Sequence, residues 1–254
     1  MAEFSLSLDD LCYHQVTFGM DVYPPVVYSE ERTRLNIFYE RAGEEWGHLF
    51  DRLTAGDEVF RIAKAFRKRA AVEGPAITLE TFVLTQRGPV FVFPFILPDP
   101  VGATGLEETH RDDFTQVRRA FESALPGRFF MRVGLIRELV FSTGQARCSD
   151  LVTDVVSFGN AQFSRGEVKL TFKDEQHNHT IAVSPVTLNR TTHLPVGTRV
   201  EERAGYGVRV ILDVNNRDVR KPLSESDIDG VLDRAASLWP KSLLDFLMEL
   251  PRSH

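Results

Sequence analysis

Glu107, Glu108, His110, Asp112 and Asp113 are the densest collection of potential metal ligands in the chain. Glu107 and His110 lie three residues apart, so on a helix they would share a face, as carboxylate–histidine metal sites require. No second pair of that kind exists to complete a coordination shell, and helix entrances attract carboxylates for electrostatic reasons alone. A solvated helix entrance is the better reading. His177 and His179 would point the same way on a strand and could grip an ion together, but their setting, DEQHNHT, reads as a polar hairpin tip. Cys148 precedes Ser149-Asp150 at a predicted helix start, where a thiolate is stabilised. The base and oxyanion donors that a nucleophile needs have no counterpart there. Cys12 reads as a small buried residue. Gly205-Tyr206-Gly207 precedes a strand, whereas dinucleotide-binding glycines follow a strand and open a helix. Walker loop, Gly-x-Ser-x-Gly elbow and His-Glu-x-x-His are all missing. The expectation is no cofactor, no metal and a role that leans away from catalysis.

Arg61, Lys64, Arg67, Lys68 and Arg69 stand out in a chain with 30 Lys+Arg against 36 Asp+Glu and a net charge of −6. On a strand, Arg61, Arg67 and Arg69 share one exposed face at about 6.6 Å per two residues, with Phe60 and Phe66 opposite. That face could meet phosphates or an acidic partner, or simply guard an edge strand against unwanted pairing. Aromatics interleaved on the same face, which stacking on single-stranded nucleic acid needs, are missing. The overall negative charge also argues against a protein that coats DNA or an anionic membrane.

The 254 residues, 43% hydrophobic and 26% charged, fit an ordinary globular protein of one large domain or two modest ones. Two cysteines cannot build a disulfide framework or a four-cysteine zinc site. The opening MAEFSLSLDDLC lacks the basic and apolar regions of a secretory signal. The longest apolar stretch, residues 90–97 with Pro94 inside it, is far short of the ~20 residues that span a bilayer. A cytoplasmic α+β protein without membrane association is expected.

These residues must be positioned by recognisable elements. Val16, Phe18, Met20 and Val22 alternate with Gln15, Thr17, Gly19 and Asp21, the signature of a half-buried strand. Pro24-Pro25 ends it. Apolar residues at helical spacing predict a helix over 30–53, weakened by Gly43 and Gly47. The segment 58–69 fits strand or helix, with strand preferred. Strands follow over 77–85 and 90–97, joined by Gln86-Arg87-Gly88-Pro89. After the loop PDPVGATG (98–105), a helix is predicted from Asp112 to Leu125, closed by Pro126-Gly127. Phe129, Met131, Val133, Leu135, Leu139 and Phe141 face one way on the next strand, interrupted by Arg137. A short helix over 149–158, strands over 168–172, 180–188 and 208–214, and a final helix from Ser224 complete the chain. Asp227 supplies a weaker capping box for that helix, and Pro240 divides it.

The order of elements repeats. Asp113-Phe-Thr-Gln-Val117 aligns with Asp227-Ile-Asp-Gly-Val231 at an offset of 114, and Pro126 then meets Pro240. The strands beginning at Val90 and Val208 are 118 apart, and those near Val16 and Met131 about 115 apart. This predicts two similar β-α-β-β-β-α halves, 1–127 and 128–254, whose antiparallel sheets fuse through edge strands. The result would be one saddle-like sheet with helices on one side, in the manner of the TATA-binding protein.

GVRVILDVNNRD (207–218) and KPLSESDIDGVLDRAASLWPKSLLDFLMEL (221–250) resemble the end of a sporadically distributed family of uncharacterised bacterial proteins of about 250 residues. RFFMRVGLIREL (128–139) is similar to that family's central strand, except that Ile136 lies between Leu135 and Arg137. The resemblance implies a bacterial cytosolic protein and transfers no active-site residue.

The leading expectation is a non-enzymatic cytosolic binding or assembly module that docks a protein or peptide on an open sheet face. Arg61, Arg67 and Arg69 are the expected contacts, with Arg209 on the corresponding strand face of the second half. The alternatives are a nucleic-acid-binding protein using the basic strand, and an enzyme or small-molecule sensor with a cleft between the halves.

Overall fold

The alternating segment around Val16 becomes a central strand of one antiparallel sheet. The computed structural model describes residues 6–27, 30–31, 33–34, 52–55, 63–70, 77–85, 88–96, 103–143, 167–193 and 199–249. Among them are strands β1 (Leu11–Tyr23), β2 (Arg52–Ala55), β3 (Ala63–Ala70), β4 (Ile77–Thr85), β5 (Gly88–Ile96), β6 (Phe129–Thr143), β7 (Val168–Lys173), β8 (His177–His193) and β9 (Arg199–Asn216). They lie in the order β2-β3-β4-β5-β1-β6-β9-β8-β7. The helices are α1 (Ala103–Ala124), α2 (Glu225–Ser237) and α3 (Lys241–Glu249). The chain is α+β with an antiparallel sheet, as expected. No described helix is long and apolar enough to cross a membrane.

The strand reading of 58–69 holds for Ala63–Ala70, and Arg61 lies outside the described residues. Glu30, Glu31, Thr33 and Arg34 are helical, but the helix predicted to residue 53 stops short. Arg52–Ala55 is strand, pairing with Phe66 through Ala63, and a helix running into it would forfeit that ladder. Conversely, α1 begins at Ala103, nine residues before the predicted start. Its first turns carry little apolar periodicity, the signal on which the sequence reading relied. Cys148 and the short helix predicted over 149–158 lie outside the described residues.

Residues from both halves of the chain share one core. Val16, Phe18, Met20 and Val22 of β1 lie buried with Val133, Leu135, Leu139 and Phe141 of β6 and with Val208, Val210, Leu212 and Val214 of β9. Helix α1 straddles the seam: Phe114 meets Phe18 at 5.2 Å, and Phe121 meets Phe130 at 5.9 Å between ring centroids. Arg118 of α1, itself buried, donates to Glu225 of α2 at 2.6 Å, and Arg111 pairs with Asp229 and Asp233. Helix α2 starts as expected at Ser224, whose capping box with Asp227 satisfies its first amides. Pro240 separates it from α3.

Two details depart from simple alternation. In the β1–β6 ladder, Asp21 pairs with Arg132 and Val22 with Phe130, so Met131 is bulged out. The extra residue reverses the side-chain parity beyond it. Phe130 is therefore buried, while Phe129 is exposed and Met131 half-buried, opposite to the sequence expectation. Asn216, on the neighbouring β9 and 6% exposed, serves this irregularity. Its Oδ1 accepts from Val133 N–H at 2.9 Å, and its Nδ2 donates to the carbonyls of Met131 and Asp218 at 3.1 and 2.7 Å. Asn216→Ala would strip these partners from buried backbone and is expected to cost about 1–3 kcal/mol, read from the urea midpoint at unchanged slope. The second irregularity falls at Cys12, skipped between Leu11 and Tyr13, which leaves Cys12 half-buried instead of buried.

Arg137 does not interrupt the buried face of β6 but belongs to it, at 0% exposure. It is flanked in the ladders by Val16 and Leu212 and donates to His14 Nε2 at 2.7 Å. Its guanidinium lies 5.2 Å from the Trp239 ring centroid. Arginine has no acceptor, so His14 must accept through Nε2 and carry its proton on Nδ1.

Candidate functional site

Among the described residues, α1, α2 and α3 contribute to one core on one face of the sheet, and the side chains of opposite parity form a second face. Its middle lies along the β1–β6 pair. Tyr23 and Phe129 are directly opposed at one end, 64% and 53% exposed, and Ile136, 40% exposed, stands between Thr17 and Asp213. The bulge at Met131 turns Phe129 to this face. These residues form the apolar part of the candidate site, and the sequence reading missed the aromatic pair.

Along the β1–β6–β9 part of this face, cations stand beside carboxylates. Arg209 of β9 donates from Nε to Glu138 Oε1 of β6 at 2.7 Å. That hydrogen bond raises the Arg209 pKa, fixing its charge. The neighbouring Tyr13 donates its hydroxyl to Gln15 at 2.7 Å, and burial followed by the Glu138 charge pushes its phenol pKa up, so it remains a neutral donor. Asp21 opposes Arg132, and Ile136 opposes Asp213.

Of the other expected contacts, Arg67 and Arg69 lie on β3, opposite Glu80 and Thr78 of β4. Strand β2 pairs only with Ala63–Phe66, so the Arg67–Arg69 stretch lies beyond that ladder among the described residues. β3 and β9 are on opposite wings of the sheet, separated by β4, β5, β1 and β6, so these arginines and Arg209 do not converge. Glu107 and His110 fall inside α1 and not at its entrance.

A second cluster lies at the β7–β8 turn. Asp174 accepts from the backbone N–H of Gln176 at 2.9 Å and of His177 at 2.6 Å. Burial alone would raise its pKa, but these bonds and His177 outweigh that effect and hold it at about 2. His177 Nδ1 and His179 Nε2 each approach Asp174 Oδ2 at 3.3 Å. From α2, Arg234 Nε lies 3.4 Å from His179 Nε2 and 3.6 Å from Asp174 Oδ2. Burial and then the Arg234 charge lower the His179 pKa, favouring a neutral imidazole. Beside this cluster runs a groove of about 710 Å³, lined by His177, Asn216, Arg217, Arg220, Lys221 and Val231 among others. It lies within the C-terminal half.

No family model matches the chain, and no curated protein matches it. Among solved structures, it is similar to DynU16, described as a protein of the dynemicin biosynthetic locus, at 14% identity and a TM-score of 0.24. The match covers 96% of this chain and 100% of that one. A likeness of that size bears on neither fold nor activity.

Proposed function

We propose that this chain is a non-enzymatic cytosolic binding or assembly module of a bacterial cell, and that a protein or peptide segment docks along the open face of β1 and β6. The carrying observation is that Tyr23, Phe129 and Ile136, three of the most exposed large apolar side chains described, share that face of one strand pair. Exposed apolar groups within a polar surround are the anatomy of a protein-binding surface. Arg209 and Glu138 flank Ile136 and would register the partner. Nucleic acid is disfavoured along the strand pair because Arg209 has Glu138 beside it and Arg132 has Asp21 opposite it.

The platform itself is read as a duplicated unit. Moving outward from the centre, each half contributes its first strand, then its last, then the one before. This gives β1-β5-β4-β3-β2 on one side and β6-β9-β8-β7 on the other, so β2 is a strand of the first half with no counterpart among the described residues of the second. Gly19 and Gly134, 115 positions apart, face each other across the central ladder, where a two-fold axis relating the halves would pass. With those glycines as equivalents, Val90, which pairs with Gly19, corresponds to Asn215 instead of Val208. A saddle open on one side would present the docking face.

A photo-activatable residue at Phe129 should crosslink one protein in the native cell. The same residue at Val219, 48% exposed on the loop before α2, should not. Equal crosslinking at both positions, or a nucleic-acid adduct at Phe129, would refute docking on this face.

A further inference from the structure

We propose that Asp174, His177 and His179 form a binding site for a transition-metal dication of zinc-like ligand preference, and that Arg234 is the cation such an ion displaces. Each residue offers one ligand atom, and the three lie within 4.8 Å of one another. A four-coordinate ion with bonds near 2.0 Å needs donor atoms about 3.3 Å apart. Asp174 Oδ2 lies at 3.3 Å from both His177 Nδ1 and His179 Nε2.

The contacts among these side chains are long for hydrogen bonds. Arg234 can only donate, so His179 Nε2 is an acceptor where the guanidinium approaches it. Asp174 Oδ2 is also an acceptor while ionised. Asp174 Oδ2 and His179 Nε2 converge 3.3 Å apart, a spacing that a single cation can bridge. Arg234 Nε does so only at 3.4 and 3.6 Å, distances at which hydrogen bonds are weak. The Arg234 side chain is 40% exposed, so it can swing into solvent.

A metal ion would bring in His177 Nδ1 as well. The protein already supplies what such a ligand requires, because Asp174 is oriented by the backbone amides of Gln176 and His177. His177 also lines the adjoining groove, so a fourth position would be accessible to water or to an anion attracted by Arg217, Arg220 and Lys221. The site lies on the helix-covered side at the C-terminal wing, and its existence does not depend on the docking reading.

The test is titration of the intact metal-free protein with Co²⁺, read by its visible absorption and followed by displacement with Zn²⁺. One Co²⁺ per chain should bind with a tetrahedral-type spectrum, and Zn²⁺ should abolish it. His177→Gln and His179→Gln should each weaken binding about tenfold or more. Arg234→Gln should tighten it severalfold, a change in the opposite direction that misfolding would not produce. A wild-type protein that shows no Co²⁺ spectrum overturns the site. So does binding that survives both histidine substitutions unchanged. Binding weakened by Arg234→Gln overturns the displacement by Arg234.

Discussion

Arg137→Ala is expected to lower stability by about 3–5 kcal/mol, seen as a large fall in the urea midpoint. The side chain is fully buried on β6, an inner strand of the described sheet, beside Val16 and Leu212 and against the Trp239 ring. Truncation would open a cavity beside Trp239 and remove the donor that serves His14 Nε2. Arg137→Met is the informative companion. It keeps the apolar stem and spares the chain the desolvation of a guanidinium, so it should recover much of the loss. Equal losses in both variants would mean that the charge itself, and not the filled volume, sustains this part of the core.

Gly88→Ala should be nearly as damaging, at roughly 3 kcal/mol or more. Gly88 opens β5 with φ at +143°, a backbone region that side chains avoid. A Cβ there would stand 2.3 Å from the Met20 carbonyl oxygen and 3.4 Å from a Val22 methyl. The first contact is with backbone, so relief would require β5 to pull away from β1. A variant within about 0.5 kcal/mol of wild type by thermal or urea unfolding would show that the hairpin shifts freely, contrary to a tightly registered β1–β5 pair.

Local signals explain which parts of the fold were legible. The alternation through Val16–Val22 defined β1, the short link after Thr85 defined the β4–β5 hairpin, and Ser224 with Asp227 marked the start of α2. Each depends on residues near one another in sequence. The misreadings depend on partners far away. Met131 is bulged because of how β6 registers against β1, and no local pattern shows that parity reverses there. Arg137 looked like an interruption because its companions, His14 and Trp239, lie more than a hundred residues away in either direction.

The same distinction applies to the candidate sites. His177 and His179 were visible as an alternating pair, but Asp174 joins them only once the turn forms, and Arg234 arrives from a helix at the other end of the half. Tyr23 and Phe129 face each other only through the antiparallel register of the central strands. Gly207, part of the glycine pair flanking Tyr206, has a packing role instead of a phosphate-binding one. A Cβ there would stand 2.6 Å from the Phe141 carbonyl oxygen.

The most direct measurement is the set of macromolecules retained by the protein when drawn from its native cell at low and at high salt. It should be compared with a Phe129→Asp, Ile136→Asp, Arg209→Glu variant confirmed as folded. The docking account predicts a protein or peptide partner that persists at high salt on the wild-type chain and is absent from the variant. A partner held equally by both, or nucleic acid that leaves as salt rises, would contradict it.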